Sequence, residues 1–337
     1  MIRVLAIAIA FCAMALMSVP ALAQNVVLRY NNWVPPTYFM HAKGLYKYFD
    51  EIKKVTEGRV TIEPSANALG PVPRNFQLTV DGIADVGWGI HGYTPGTFPL
   101  SEMVELPFET KSAATNSVAY WRVYKKYFEP AQMHKGVHTL AVHVHPAGHI
   151  YTTKPVEQID DFKGLKLRST SAAVGESFKR LGAAPIGAPV TETREMLSKG
   201  IIDGLGFTDE AIYNFKINSF IKNVLKVPGG LYATSFFLVV NQAKWNSISE
   251  KDREAIMAIS GEKLARQLGQ VWDDEDAGAT DRVVKDGIKV TELKGPFLDA
   301  FKDQLKGFDQ DWVEKAKKAG VDGKAALDMF RKEVTAN

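Results

Sequence analysis

Past its opening stretch the chain has no cysteine, since the single one, Cys12, lies among the first apolar residues. A chain without further thiols can build no disulfide framework and offers no cysteine nucleophile, so a packed core must hold it together. No apolar run beyond residue 23 approaches the roughly 20 residues that a membrane-spanning helix needs. Neither sign of charge dominates: 41 Lys and Arg stand against 38 Asp and Glu, a formal net charge of +3. That balance argues against a nucleic-acid partner and against a strongly basic membrane-surface protein. The G-x-S-x-G nucleophile elbow and the H-E-x-x-H metalloprotease helix are also missing, so the common hydrolase motifs give no lead.

What is present begins with a leader. Arg3 precedes an almost unbroken apolar run from Val4 to Met17, and Ser18 to Ala23 ("SVPALA") ends in a small-x-small cleavage pattern. Residues 1–23 read as a signal peptide, the competing reading being an uncleaved anchor, for which the run is short. The expectation is a mature chain from Gln24, exported to the periplasm. Its roughly 310 residues suggest about two domains.

Strand and helix patterns alternate along that chain. "VVLRYNNW" (Val26 to Trp33) reads as a strand, and Tyr38 to Thr56 as an amphipathic helix with Leu45, Tyr48, Phe49, Ile52 and Val55 on one face. "RVTIEP" and "IADVGW" are further strands flanking a helix around Arg74 to Val80, and such alternation implies an α/β fold with mixed, mostly parallel sheets. "VDGIADVG" (Val80 to Gly87) and "SKGIIDGLG" (Ser198 to Gly206) share a helix end, Gly-Ile, one residue, Asp and a glycine-bounded strand. This is either a trace of two related lobes or ordinary helix-to-strand chemistry.

The strand "GVHTLAVHVH" ends at Pro146-Ala-Gly148, and "SFFLVVN" follows Pro228-Gly229-Gly230. Each break is a plausible crossing between lobes, which makes both lobes discontinuous: 24–145 plus 234–273 for the first, 146–233 plus 274–337 for the second. Ser249 is a candidate helix N-cap, and the proline-free stretch from Arg253 to about Asp286 predicts one long helix spanning both lobes. A short strand at "IKVTEL" and amphipathic helix from Pro296 to Val334 complete the pattern.

Several motifs invite chemistry. "GWGIHG" (Gly87 to Gly92) matches the dinucleotide glycine pattern, but it runs into Tyr93-Thr-Pro-Gly96, which cannot continue as the helix that would hold a pyrophosphate. It is better read as a glycine-rich strand end that presents Trp88 and His91. Five of the seven histidines fall between His134 and His149, with His143 and His145 on one face of a strand, so a periplasmic metal-binding protein is an alternative. Asp203, Asp209 and Glu210 could form an acid/base pair in an exported enzyme; the simpler account places Asp203 in a turn and the other two in a helix's first turn.

The stretch "DDFKGLKLRSTSA" carries the sharpest signal. Leu165 to Arg168 alternates like a short strand, and Ser169 to Ser171 can cap the helix that follows. Arg168 thus stands where a strand leaves the sheet, the end at which open α/β sheets bind ligands, beside a helix N-terminus. A guanidinium there is a planar fork for a carboxylate. Trp33, Trp88 and Phe207 also fall at strand ends and could wall a pocket for an apolar or aromatic body. Lys163 and Lys166 are expected to face solvent.

The order "GRVTIEP", "DGIADVGWG", "ELPF", "TTKPVEQIDDFKGLKLRS", "LGAAPIGAPVTETREMLSKGIIDG" and "NQAKWNSISEKDREAI" resembles the extracytoplasmic solute-binding proteins of TRAP transporters, the DctP-like family, over nearly the whole mature chain. The resemblance implies a two-lobed flytrap, without enzymatic activity or cofactor, that closes over an organic acid and delivers it to a sodium-driven membrane partner. It also implies that Arg168 is the carboxylate anchor. Many members carry an asparagine where this chain has Phe207, and a second arginine near Gly148-His149, so His149 is a candidate substitute contact. Fewer polar partners and an added ring predict a monocarboxylate, a keto or hydroxy acid with an apolar or aromatic body, rather than a C4-dicarboxylate. The candidate ligand-binding set is Arg168, His149, Phe207, Trp33, Trp88 and His91, in a chain expected to be a monomer. A binding component of an ATP-driven transporter would share the architecture and lack the "KGLKLR" block.

Overall fold

The computed structural model describes residues 25–336, so the signal-peptide reading of residues 1–23 and Cys12 lie outside the described residues. Among the described residues eleven strands form two sheets. The first contains β1 (Val26–Tyr30), β2 (Val60–Pro64), β3 (Val86–Ile90), β4 (Val137–Val144) and β10 (Ser235–Asn241), in the order β2-β1-β3-β10-β4. The second contains β5 (His149–Thr152), β6 (Lys166–Ser169), β7 (Ala184–Gly187), β8 (Gly204–Phe207), β9 (Asn223–Lys226) and β11 (Lys289–Glu292), in the order β11-β9-β5-β8-β6-β7. Each sheet is parallel except for one strand: β10 runs against β3 and β4, and β5 runs against β8 and β9. The molecule is a two-lobed α/β protein with one sheet in each lobe.

The lobes share a local construction. In the first, the helix Asn75–Val80 ends at Gly82, whose φ is 72°, before Asp85 and β3. In the second, the helix Thr193–Ser198 ends at Gly200, φ 64°, before Asp203 and β8. Only glycine takes that left-handed conformation at no steric cost. Asp85 accepts the amide of Arg29 on β1 at 2.8 Å, and Asp203 accepts the amide of Lys166 on β6 at 3.0 Å. The same carboxylate thus satisfies the same position of the neighbouring parallel strand in both lobes. By this register β6 corresponds to β1 and β8 to β3.

Three connections cross between the sheets. His145 to Gly148 leads from β4 to β5, and Val227 to Thr234 leads from β9 to β10; the two lie side by side, Gly148 N–H donating to Tyr232 O and Leu231 N–H to Gly148 O, both at 2.8 Å. A Cβ on Gly148 would come within 2.4 Å of the Tyr232 ring, so this close approach requires glycine. The third connection is the helix Glu262–Lys285, which packs on Ala113–Val123 and β4 near its start and on Asp209–Asn214 and β11 further along.

That helix corrects the expectation of one run from Arg253 to Asp286. Helix Glu250–Ile259, with Ser249 Oγ accepting the Asp252 amide at 3.2 Å, stops at Ser260, and Gly261 turns the chain at φ 64°. Gly261 N–H donates to Leu140 O at 2.8 Å, and a side chain there would meet the Trp121 ring. Helical spacing continues across the break, which the contacts with β4 and Trp121 impose. The first expected helix also divides, with wide turns over Met40–Leu45 before the α-helix Tyr46–Val55. The C-terminal segment forms three helices, Gly295–Gln304, Phe308–Lys318 and Gly323–Ala336, which bury Phe301, Trp312 and Phe330 with Tyr120 and Phe128. Among the described residues no helix is long and apolar enough to cross a membrane.

Candidate functional site

β6 places Lys166 in solvent and, two residues on, Arg168 in the interior, where only 1% of its surface is exposed. Its Nε–H donates to Ala188 O at 2.8 Å, Nη1 to Thr170 Oγ1 at 3.3 Å and Nη2 to the Tyr93 hydroxyl at 3.3 Å. A guanidinium carries five N–H donors, so one hydrogen remains on each terminal nitrogen. Among the described residues no carboxylate forms an ion pair with it. A buried, unpaired cation with a donor left on each terminal nitrogen is suited to a carboxylate from outside the chain. Tyr93 comes from the turn after β3, in the other lobe. Its oxygen also accepts the Val190 amide at 2.9 Å, leaving its hydroxyl hydrogen to give away. Burial raises the Tyr93 pKa, which keeps that donor in place.

Behind this polar point the walls are aromatic. The Phe207 ring, at the end of β8, lies 5.9 Å from the Arg168 guanidinium carbon. Trp33, just past β1, stacks on Trp88 of β3 with centroids 5.4 Å apart, and Phe236 of β10 stacks on Trp88 at 5.3 Å. These rings are held by hydrogen bonds as well: Trp33 Nε1–H donates to Trp88 O at 2.7 Å and Trp88 Nε1–H to His143 Nε2 at 2.9 Å. Arg168, Phe207, Trp33 and Trp88 line one cavity between the lobes, with Tyr38, Tyr93, His145, Thr170, Glu210, Phe215, Tyr232, Thr234, Phe236 and Trp272.

His91 and His149 do not line this cavity. His91 turns into the first lobe, bonded to Ser235 Oγ at 3.0 Å and to His134 Nε2 at 2.8 Å, and burial lowers its pKa to about 3. His149 sits opposite Phe207 in the β5–β8 register, but its Nδ1 accepts the Val227 amide at 3.2 Å; burial, with Lys226 nearby, lowers it to about 3. The other clustered histidines are separately engaged: His134 with Thr139, His138 stacked on Trp245 at 3.9 Å, His143 with Trp88, and His145 donating to Pro146 O at 2.5 Å while accepting from Thr234 N. Among the described residues no group of three or more His, Cys, Asp or Glu is placed to hold a metal ion.

The acid/base alternative is separated by the fold, since Asp203 lies before β8 and Glu210 after it. Glu210, in the first turn of helix Asp209–Asn214, lines the cavity with its carboxyl held by Thr208 Oγ1 at 2.7 Å and Asn214 Nδ2 at 3.0 Å. Burial, reinforced by Asp276, pushes it up to about 8, so it is protonated at neutral pH. Burial would also raise its neighbour Asp209, but the Lys226 ammonium and hydrogen bonds from Tyr151 and Thr280 outweigh that and hold it below the usual carboxylate range.

Sequence reasoning did not single out Tyr93, Thr170, His145, Tyr232, Thr234, Phe236 or Trp272 as cavity residues. Tyr93 was legible only as the residue that stops a helix after the glycine-rich strand, and Trp272 as one residue in a helical run.

Four similarities to known proteins bear on this architecture. The family model described as bacterial extracellular solute-binding protein, family 7, matches residues 31–315. The outer membrane transporter protein TsaT of Comamonas testosteroni is 30% identical over 317 residues, 94% of each chain. A TRAP periplasmic solute-binding protein of Bordetella bronchiseptica, solved with bound (R)- and (S)-mandelate, is 36% identical with a TM-score of 0.89, over 92% of this chain and 99% of that one. A TRAP solute-binding protein of Rhodoferax ferrireducens T118, in complex with copurified benzoate, is 28% identical with a TM-score of 0.86, over 92% and 98%. With the model and these relatives matched over most of their length, the chain belongs to the DctP-like family of extracellular solute-binding proteins, the binding components of TRAP transporters.

Proposed function

We propose that this protein is a periplasmic receptor that captures an aromatic monocarboxylate on Arg168 and presents it to TRAP membrane subunits, without transforming it. The observation that carries this reading is the buried Arg168 fork, which lacks a carboxylate of its own and opens into a cavity walled by Trp33, Trp88 and Phe207. The acid's two oxygens take the free hydrogen on each terminal nitrogen, with Tyr93 a further donor, and the ring lies among the aromatic walls. Because Tyr93 and Arg168 come from different lobes, a bound carboxylate ties the lobes, 24–145 plus 234–273 and 146–233 plus 274–337, together. A ligand that contacts both shifts the chain toward its closed form, which is the form a permease can recognise.

The relatives solved with mandelate and benzoate hold acids of this class. A C4-dicarboxylate fits less well. Among the described residues lining the cavity Arg168 is the one Lys or Arg, and the second ionisable group of note is the carboxyl of Glu210. A second carboxylate there would be desolvated without a cation.

A thermal-shift screen of benzoate, mandelate, phenylpyruvate, pyruvate and succinate tests the reading. A ligand at one hundred times its Kd stabilises by about 2.7 kcal/mol, so aryl acids should raise the melting temperature clearly and succinate should not. Strongest stabilisation by succinate, or none by any aryl acid, overturns it.

A further inference from the structure

One residue of the cavity wall carries a buried donor without a partner. Trp272, on the helix Glu262–Lys285, lines the cavity and is 3% exposed, and its indole Nε1–H finds no acceptor among the described atoms of the protein. Its ring neighbours cannot supply one. Phe39 meets it edge-on at 4.9 Å and Phe236 at 5.3 Å, both without a polar atom, while His145, at 5.9 Å, already donates through Nδ1 to Pro146 and accepts at Nε2 from Thr234. The other two cavity indoles are satisfied, Trp33 by Trp88 O and Trp88 by His143. A buried donor left without a partner is expensive, and native proteins rarely keep one without use.

Its position gives that donor a role. His145, Thr234 and Trp272 belong one each to the three connections between the lobes, so the Trp272 ring stands where the crossings meet and lines the same cavity as Arg168. We propose that Trp272 is a specificity-determining residue: its indole N–H donates to an oxygen on the body of the bound acid, so the site selects aryl monocarboxylates that carry a hydroxyl or keto group over their unsubstituted parents. This rests on the functional reading above and narrows its ligand class. An unsubstituted acid would still engage Arg168 and the ring walls but would seal the Trp272 donor away from any acceptor, the situation in which discrimination against a missing hydroxyl becomes large.

The test is calorimetry on the full-length mature protein with two matched pairs, mandelate against phenylacetate and 3-hydroxybenzoate against benzoate, for wild type and Trp272→Phe. The variant keeps an aromatic ring but removes the donor together with part of the indole, so the readout is the preference within each pair, to which the lost packing is common. For at least one pair, wild type is expected to prefer the oxygenated acid by about tenfold, and Trp272→Phe to reduce that preference to about twofold or less, mainly by weakening the oxygenated acid. A preference unchanged in the variant, or no preference in wild type, overturns the assignment. Should the variant fail to fold, the indole N–H spectrum of wild type decides: one of the six tryptophan resonances moves downfield with the oxygenated acid and not with its parent, and absence of that shift overturns the proposal. Wild type that binds no aryl acid overturns the functional reading itself, whereas tight binding of all four acids with no preference overturns only the role of Trp272.

Discussion

Replacing Arg168 by alanine separates binding from folding in this protein. In the native chain the guanidinium makes three hydrogen bonds, to Ala188, Thr170 and Tyr93, and keeps two donors for the ligand. Truncating one partner of a buried, hydrogen-bonded charge pair costs about 2–5 kcal/mol, which corresponds to a rise in Kd of roughly 30- to 5,000-fold. What survives is the burial of the ligand's ring, about 150 Å² at roughly 25 cal/mol per Å², or about 4 kcal/mol before the cost of association. Arg168→Ala should therefore bring a micromolar aryl acid to the limit of calorimetric detection. Arg168→Lys keeps the charge but not the fork, and should fall between the two. The fold should tolerate both changes. Losing the bond to Ala188 O leaves one half-buried carbonyl short, at about 1 kcal/mol or less once water replaces the donor, while removing an unpaired buried cation relieves a desolvation penalty of the opposite sign. The assay is titration calorimetry with benzoate or mandelate at fixed ionic strength, with circular dichroism to confirm the native fold. A folded Arg168→Ala protein whose Kd lies within threefold of wild type would refute the carboxylate-anchor argument.

Two further outcomes follow from the same geometry. Phe207→Ala removes the ring beside the guanidinium and should weaken an aromatic acid about tenfold while changing pyruvate by twofold or less; calorimetry giving equal losses for both would reject Phe207 as a wall for the ligand's ring. Glu105 is buried against the Ser171 hydroxyl, and burial pushes its carboxyl up to about 8 from its usual 4.5. A raised carboxyl pKa means that the folded state holds a proton the unfolded state has released, so this contribution is complete below pH 4.5 and is lost as pH rises to 8, at about 1.4 kcal/mol per pH unit. Because the buried histidines titrate with the opposite sign between about pH 3 and 6.5, the measurement is the difference in unfolding free energy between wild type and Glu105→Gln. That difference should shift against wild type from pH 5 to 8, and a constant difference would show that Glu105 ionises normally.

Much of the fold was legible because it is written in local periodicity. β1, β3 and β10, and the Ser249 cap, were marked by alternation, three- and four-residue spacing and capping chemistry. The strands β5, β7 and β9 were not singled out, and β7 contains Pro185, tolerated because it lies at the sheet edge. The break at Gly261 was hidden for the converse reason: helical spacing continues through it, and only contact with Leu140 and Trp121 decides against the helix.

The candidate site divides in the same way. Of the three aromatic residues expected at strand ends only Phe207 ends one, Trp88 being the middle residue of β3 and Trp33 lying past β1. The sequence by itself determined that an arginine would stand at a strand exit beside a helix N-cap, and to which family the whole order of motifs belongs. Those are properties of residue chemistry at short range. Only the tertiary structure decided that His91 is occupied by Ser235 and His134 and His149 by Val227, that Tyr93 reaches Arg168 from the opposite lobe, and that Trp272 is left with a donor to give. A polar side chain is available to a ligand only when no neighbour has already satisfied it, and those neighbours are set by packing between segments far apart in the chain.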